Sequence, residues 1–261
     1  MDRPSVLSRA DGAAALPRLG GMARPDGVVI VSERFWAFAG VDGSLREGLM
    51  PRTATAFRRV PLLRGLARLS GSLSPLFRGG GVAGRRERWL LLVALVAPFC
   101  LFVLPHHVAG AVGIATTVGL VGWLFRGRTL ALHGAEHRAI AAAEERRLSS
   151  TWSGAARPTR FSTRCGTNFS ALVLPVSVGF DRIWPLPTMP LAPLLIAVLA
   201  LALTMELWLA IQGAPRAVAR IFLLPGLGLQ RVTTREPRLD ETRVALRAVA
   251  SVLRRELGAD A

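Results

Sequence analysis

The spacing of apolar positions changes several times along this chain. Between Gly20 and Leu49, short apolar runs at Val28–Val31 and Phe35–Ala39 precede Asp42-Gly43, a hairpin-turn dipeptide, and this predicts two or three short strands. From Arg58 to Arg78, Leu62, Leu63, Leu66, Leu69, Leu73 and Leu76 recur at helical spacing with Arg58, Arg59, Arg64 and Arg68 among them. That pattern predicts a basic amphipathic helix, lying either on an anionic leaflet or against the β region. Trp89–Pro105 and Val108–Phe125 are nearly unbroken apolar runs, each close to the roughly 17–20 residues a helix needs to cross a bilayer. Leu132–Leu148 is too polar to cross and predicts an amphipathic helix. Phe169–Trp184 is apolar but broken by Pro175, Gly179, Asp181 and Arg182, whereas Leu191–Ile211 is long enough to span and carries Glu206 near its end. Ile221–Leu229, interrupted by Gly and Pro, predicts a re-entrant or interfacial piece. Asp240 reads as the N-cap of a closing amphipathic helix marked by Val244, Leu246, Val249, Val252, Leu253 and Leu257.

Composition adds an orientation to this pattern. The 261 residues are 51% hydrophobic and carry a net charge of +16, with arginine as the only strong base because lysine is absent; mean hydropathy is +0.39. Arginines flank the apolar runs at Arg85, Arg86 and Arg88, at Arg126 and Arg128, and at Arg216 and Arg220, while the opposite loops hold only Arg182. By the positive-inside rule this predicts four membrane passes with both termini in the cytosol. The expected fold class is therefore mainly α: a polytopic membrane helical protein with about four membrane segments, a small N-terminal β cap and cytosolic amphipathic helices. The expected divisions are a disordered leader over 1–19, a β-rich cytosolic cap over 20–57, and a basic amphipathic helix with linker over 58–84. A membrane domain over 85–230 follows, carrying a motif helix at 132–148 and a loop at 149–168. A cytosolic helix over 231–261 closes the chain. Cys100 lies in an apolar run and Cys165 in a polar segment, so a disulfide between them is not expected.

Four groups of residues carry candidate chemistry. His133-Gly134-Ala135-Glu136-His137 places two imidazoles four residues apart, on one face of a helix, with Glu136 positioned as a general base. This is the H-x-x-E-H spacing of inverted zinc peptidases; its bland alternative is a decorated surface helix. Arg164-Cys165-Gly166-Thr167-Asn168 offers a soft ligand in Cys165, or else a helix-entry loop turned by Gly166 and capped by Thr167 or Asn168. Glu206 within an apolar helix pairs with an arginine, ligates a metal, relays protons, or simply reaches the interface. Gln230-Arg231-Val232-Thr233-Thr234-Arg235-Glu236-Pro237 is an anion site or a loop locked by arginine–carboxylate pairing. Phosphate-binding glycine loops, dinucleotide turns and nucleophile elbows are absent.

Taken in order, His133 to His137, Arg164 to Phe169, Pro225-Gly226, and Leu229-Gln230-Arg231 running into Thr233 to Pro237 resemble the YqhQ-like family of bacterial integral membrane proteins. Gly20-Gly21-Met22-Ala23 and Asp26 to Ile30 resemble its N-terminal signature. The resemblance spans about Gly20 to Leu257. It implies an integral protein of the bacterial inner (plasma) membrane, of unestablished function, in a family labelled as predicted metal-dependent enzymes. Carried over by residue, it implies His133, His137 and Cys165 as ligands of a divalent metal such as zinc, with Glu136 beside them. Two positions depart from the family pattern: Asp26 stands where Glu is usual, and Ser162-Thr163 where His-Pro often precedes Arg-Cys. A ligand at that histidine would be missing, which leaves the site to His133, His137, Cys165 and Glu206.

Three functions fit these observations. The first expectation is a non-catalytic membrane scaffold or assembly factor, whose arginine-rich cytosolic face meets the bilayer, anionic lipid head groups, a ribosome or an acidic protein. The second is a membrane-embedded metal-dependent enzyme, hydrolase-like, built on the H-x-x-E-H helix. The third, a transporter using Glu206, Asp181 and Arg182, would need a homo-oligomer to form a pore.

Overall fold

The structure is a computed structural model that describes residues 3–51, 60–77, 81–85, 87–90, 92–93, 105–183 and 192–259. The described elements are mainly helical, with one small antiparallel sheet. Two compact units are formed: one from 1–52, 127–168 and 220–261, the other from 53–126 and 169–219.

The first unit begins with α1 (Arg3–Asp11). A four-stranded antiparallel meander follows, β1 (Gly20–Arg24), β2 (Gly27–Val31), β3 (Phe35–Gly40) and β4 (Leu45–Leu49), in sequential order. Asp42-Gly43 turns β3 into β4 as its sequence predicts; Gly43 takes φ +92°, a backbone state that a side chain disfavours. In register, Val28 pairs with Ala39 and Ile30 with Ala37, and these four residues face the helical layer. That layer is α4 (Thr129–Glu144), α5 (Leu148–Ser153) and α9 (Leu239–Ala259). Small residues let the helices and sheet approach closely: Ala135, Ala139, Ala142 and Ala143 of α4 and Ala245 and Ala248 of α9 are all buried together. Arg238 precedes α9, and Glu241 accepts from its backbone N–H at 2.8 Å, half of a capping box. The cap is therefore Arg238, with Asp240 inside the first turn.

Three expectations change here. Residues 3–11 are not part of a disordered leader: Val6, Leu7 and Ala10 of α1 are buried in the core, and Asp11 accepts from the backbone N–H groups of Leu148 and Ser149 at the start of α5. The β region is not a separate cap, because its inner face forms one core with helices from the middle and end of the chain. The motif helix is not an exposed amphipathic one: α4 is buried on nearly every side, with Glu136, His137 and Arg138 each under one-tenth exposed.

The second unit contains α2 (Leu63–Phe77), α3 (His106–Leu124), most of α6 (Gly166–Ile183) and α7 (Ala192–Gly213). The amphipathic helix expected near Leu63 packs on α7, where Gly65 sits against Met205. Phe169 of α6 meets Trp208 of α7 edge-on, with ring centroids 6.2 Å apart. Among the described residues one helix, Leu195–Gly213, is long and apolar enough to cross a membrane. Most of the first apolar run lies outside the described residues. The membrane domain expected over 85–230 is not continuous, since 127–168 and the chain from 220 onward belong to the first unit. The helix α8 (Arg216–Thr233) continues through Pro225, and its residues from 220 onward belong to the first unit.

Candidate metal centre

His133 and His137 share one face of α4, one turn apart, and their rings meet edge-on with centroids 4.5 Å apart. Each ring is oriented by a backbone carbonyl from a different loop. His133 Nδ1–H donates to the Thr233 carbonyl at 2.8 Å, and His137 Nδ1–H to the Arg160 carbonyl at 2.7 Å. These bonds assign the tautomer: each Nε2 carries the free lone pair. The Nε2 of His133 lies 3.3 Å from the Cys165 sulfur. The Nε2 of His137 is buried with no hydrogen-bond partner. One donor atom from each of His133, His137 and Cys165 lies within 4.8 Å of the other two.

Burial sets the protonation states. It lowers the His133 pKa, opposed by the bond to Thr233. It lowers that of His137 to about 4, helped by the neighbouring His133. Both rings are therefore neutral near pH 7, the form that ligates metals. Burial raises the Cys165 thiol to about 11, against the hydrogen bonds from Thr167 and reinforced by the charge of Glu136. Glu136 is raised to about 8 by burial alone, and no hydrogen-bond partner for its carboxyl occurs among the described residues. Gly21 of β1 closes over it: a Cβ there would fall 2.9 Å from Glu136 Cγ.

The residues fit a metal. Ligands at about 2.0–2.3 Å from a tetrahedral zinc ion stand roughly 3.3–3.7 Å apart, the range of the His133–Cys165 approach. An imidazole that donates its other N–H to a backbone carbonyl is the usual outer-shell arrangement of a histidine ligand. A buried imidazole nitrogen with no partner is costly in a metal-free site, and a fourth ligand position is left for water or substrate.

The surrounding polar network holds the three segments together. Gln230, fully buried, accepts from the Ser162 N–H at 2.9 Å and donates to the Ser162 carbonyl at 2.7 Å and to Asn168 Oδ1 at 3.0 Å. Asn168 also donates to the Ser162 carbonyl. Gly226 makes this possible, since a Cβ there would lie 2.4 Å from the Asn168 Cα. Arg138 donates to the carbonyls of Pro158 and Pro237 and to Glu236. Arg160 donates to the Thr234 carbonyl at 2.7 Å, and Thr234 in turn donates to the Gln230 carbonyl. Arg235 bonds through its backbone N–H to the Leu130 carbonyl. Gly134 permits that approach: a Cβ would fall 2.1 Å from the Arg235 carbonyl oxygen.

The structure thus brings His133, Glu136, His137 and Cys165 together, and places Thr167, Asn168, Gln230, Thr234 and Glu236 around them. Gly166 opens α6. Arg164 turns outward to Glu144 at 2.6 Å, and Arg231 is exposed. Glu206 is not in the cluster; it pairs with Arg64 and accepts from the Leu62 N–H, both within the second unit. In the sequence Ser162 and Thr233 read only as motif positions, and Arg138 and Arg160 are not candidates. Of these last two, Arg138 has a signal, its position directly after the histidine motif.

The family model described as protein of unknown function (DUF1385) matches residues 108–255, more than half of the chain, and includes His133, Glu136, His137 and Cys165. The chain belongs to that family. No curated protein and no solved structure matches.

Proposed function

We propose that this member of the DUF1385 family is a membrane-anchored metalloenzyme, hydrolase-like, in which His133, His137 and Cys165 hold a divalent metal such as zinc. One observation carries the reading: two imidazoles with tautomers set by backbone carbonyls stand beside a buried thiol, one donor atom of each residue lying within 4.8 Å of the others. A metal held there supplies Lewis acidity toward an oxygen of the substrate. Glu136 supplies the proton chemistry. Poised near 8 by burial, its carboxyl takes or returns a proton close to neutral pH. Asn168, Gln230 and Ser162 keep the Cys165 loop in place, and Arg138 and Arg160 tie the 233–237 segment against α4. The anchor is the Leu195–Gly213 helix. The four-pass topology and the YqhQ-like assignment belong to this same reading. The scaffold function expected from the arginines ranks below it, because scaffolding gives no reason for a buried, unpartnered imidazole nitrogen.

Metal analysis of full-length protein purified in detergent tests the proposal. About one zinc, iron or manganese per chain is expected, falling to near zero in His137→Ala and Cys165→Ser. Wild-type protein without metal after reconstitution, or unchanged metal in both variants, overturns it and returns the scaffold to first place.

A further inference from the structure

The helix α8 is built inside out. The residues it buries from 223 onward are Leu223, Gly226, Gln230 and Thr233, mostly small or polar. Its outward positions are apolar: Ile221 is 67% exposed, Leu224 61% and Val232 70%, with Phe222 and Leu229 also exposed. A helix surrounded by water shows the reverse arrangement. Ile221–Thr233 is also too short to cross a bilayer: at about 1.5 Å per residue it reaches roughly 20 Å, against about 30 Å of hydrocarbon. A short helix with a lipid-facing exterior lies in the interface plane. No acidic residue occurs from 207 to 235, whereas arginines stand at 216, 220, 231 and 235, a balance that favours anionic lipid.

A cleft of about 570 Å³ opens along this helix, lined by Leu224, Leu227, Gly228 and Arg231 on one side and Thr159, Phe161 and Thr163 on the other. The 159–163 segment is shared with the metal centre. Its odd-numbered residues line the cleft, while Arg160 and Ser162 turn the other way, to Thr234 and Gln230. The Arg160 carbonyl receives the His137 N–H. Arg231 has no ion-pair partner among the described residues, and no acid lines the cleft.

We infer that this cleft binds a single acidic lipid, its acyl chain against Leu224, Leu227 and Phe161 and its anionic head on Arg231. The inference rests on the metal-centre reading in one respect: it names an acidic amphiphile as that centre's substrate class. Lipid binding itself does not require the metal.

Full-length protein in mild detergent, titrated with chain-labelled phosphatidylglycerol and followed by fluorescence anisotropy, provides the test. Unlabelled phosphatidylglycerol displaces the probe, phosphatidylcholine of the same chains competes roughly fivefold less well, and inorganic phosphate does not compete. Arg231→Gln weakens binding by a similar factor. Gly228→Leu abolishes it, because a side chain there enters open cleft space. Equal competition by the two lipids, displacement by phosphate alone, or wild-type binding in both variants overturns the proposal. Arg231 is exposed and has no ion-pair partner among the described residues, so its substitution stays informative even where Gly228→Leu folds poorly. Wild-type protein separates the two readings: metal-free protein that still binds the lipid sinks the metal reading alone, and metal-loaded protein that does not bind it sinks the lipid reading alone.

Discussion

Replacing Glu136 by Gln removes a buried group whose titration should dominate the stability of metal-free protein just above neutral pH. Burial raises the folded-state pKa from 4.5 to about 8. A group with a raised folded pKa contributes its full stability below the unfolded value and loses it as pH climbs through the folded one. Glu136 therefore stabilises the fold fully below pH 4.5, and that contribution is lost as pH rises to about 8. His137 acts in the opposite sense: lowered from 6.5 to about 4 by burial, it contributes fully above pH 6.5 and loses this as pH falls through about 4. His133, also lowered, adds to that side. Below pH 6.5 the two effects oppose each other. Among the described residues, Glu136 is the group whose shifted titration falls between 6.5 and 8, since Cys165 shifts upward from 9 and lies outside the window. At about 1.4 kcal/mol per pH unit, the loss over that window is roughly 2 kcal/mol. For a protein of this size it corresponds to a fall of about 4–8 °C in melting temperature. Thermal ramps of chelator-treated protein in detergent, followed by circular dichroism between pH 6 and 8.5, measure it. Wild type should lose stability across the window, while Glu136→Gln stays flat. A wild-type profile as flat as that of the variant would refute the buried, unpaired state of Glu136.

Zinc binding at pH 7 should release about two protons in wild type, one from Cys165 and one from Glu136, and about one in Glu136→Gln; calorimetry in buffers of different ionisation enthalpy counts them, and equal release in both would exclude Glu136 from the site. Gly134→Ala drives a Cβ into the Arg235 carbonyl and should cost about 1–3 kcal/mol, seen as a lower melting temperature together with weaker metal retention. Gln230→Leu strands the Ser162 N–H and Asn168 Oδ1, while the Ser162 carbonyl keeps its bond from Asn168; a destabilisation of about 1–3 kcal/mol per stranded group should appear as faster proteolysis between Arg157 and Arg164. Glu206→Gln, altered in the second unit, should leave metal stoichiometry unchanged; loss of metal there would restore Glu206 as a ligand.

Local features were legible in the chain. The Asp42-Gly43 hairpin, the closing helix and the long apolar helix Leu195–Gly213 follow from turn chemistry and periodicity, which act over a few residues. The histidine pair was legible for the same reason, because an i, i+4 spacing fixes a shared helix face. The environment of that face was not. A short helix carrying Glu136, His137 and Arg138 reads as a surface element, since the neighbours that bury it come from residues 3–11, 20–49 and 233–259. The same non-locality concealed α1, whose three buried apolar residues look like noise in a polar leader.

Sequence alone thus determined which side chains could ligate a metal and where helices and turns would form, because propensity and period are local properties. Tertiary structure decided which of them meet. It set Cys165 against His133, fixed both tautomers through the carbonyls of Thr233 and Arg160, and sent Glu206 to Arg64 instead. The physical reason is that a donor set, a tautomer and a buried carboxyl are properties of surroundings assembled from distant segments, and no spacing within one helix encodes them.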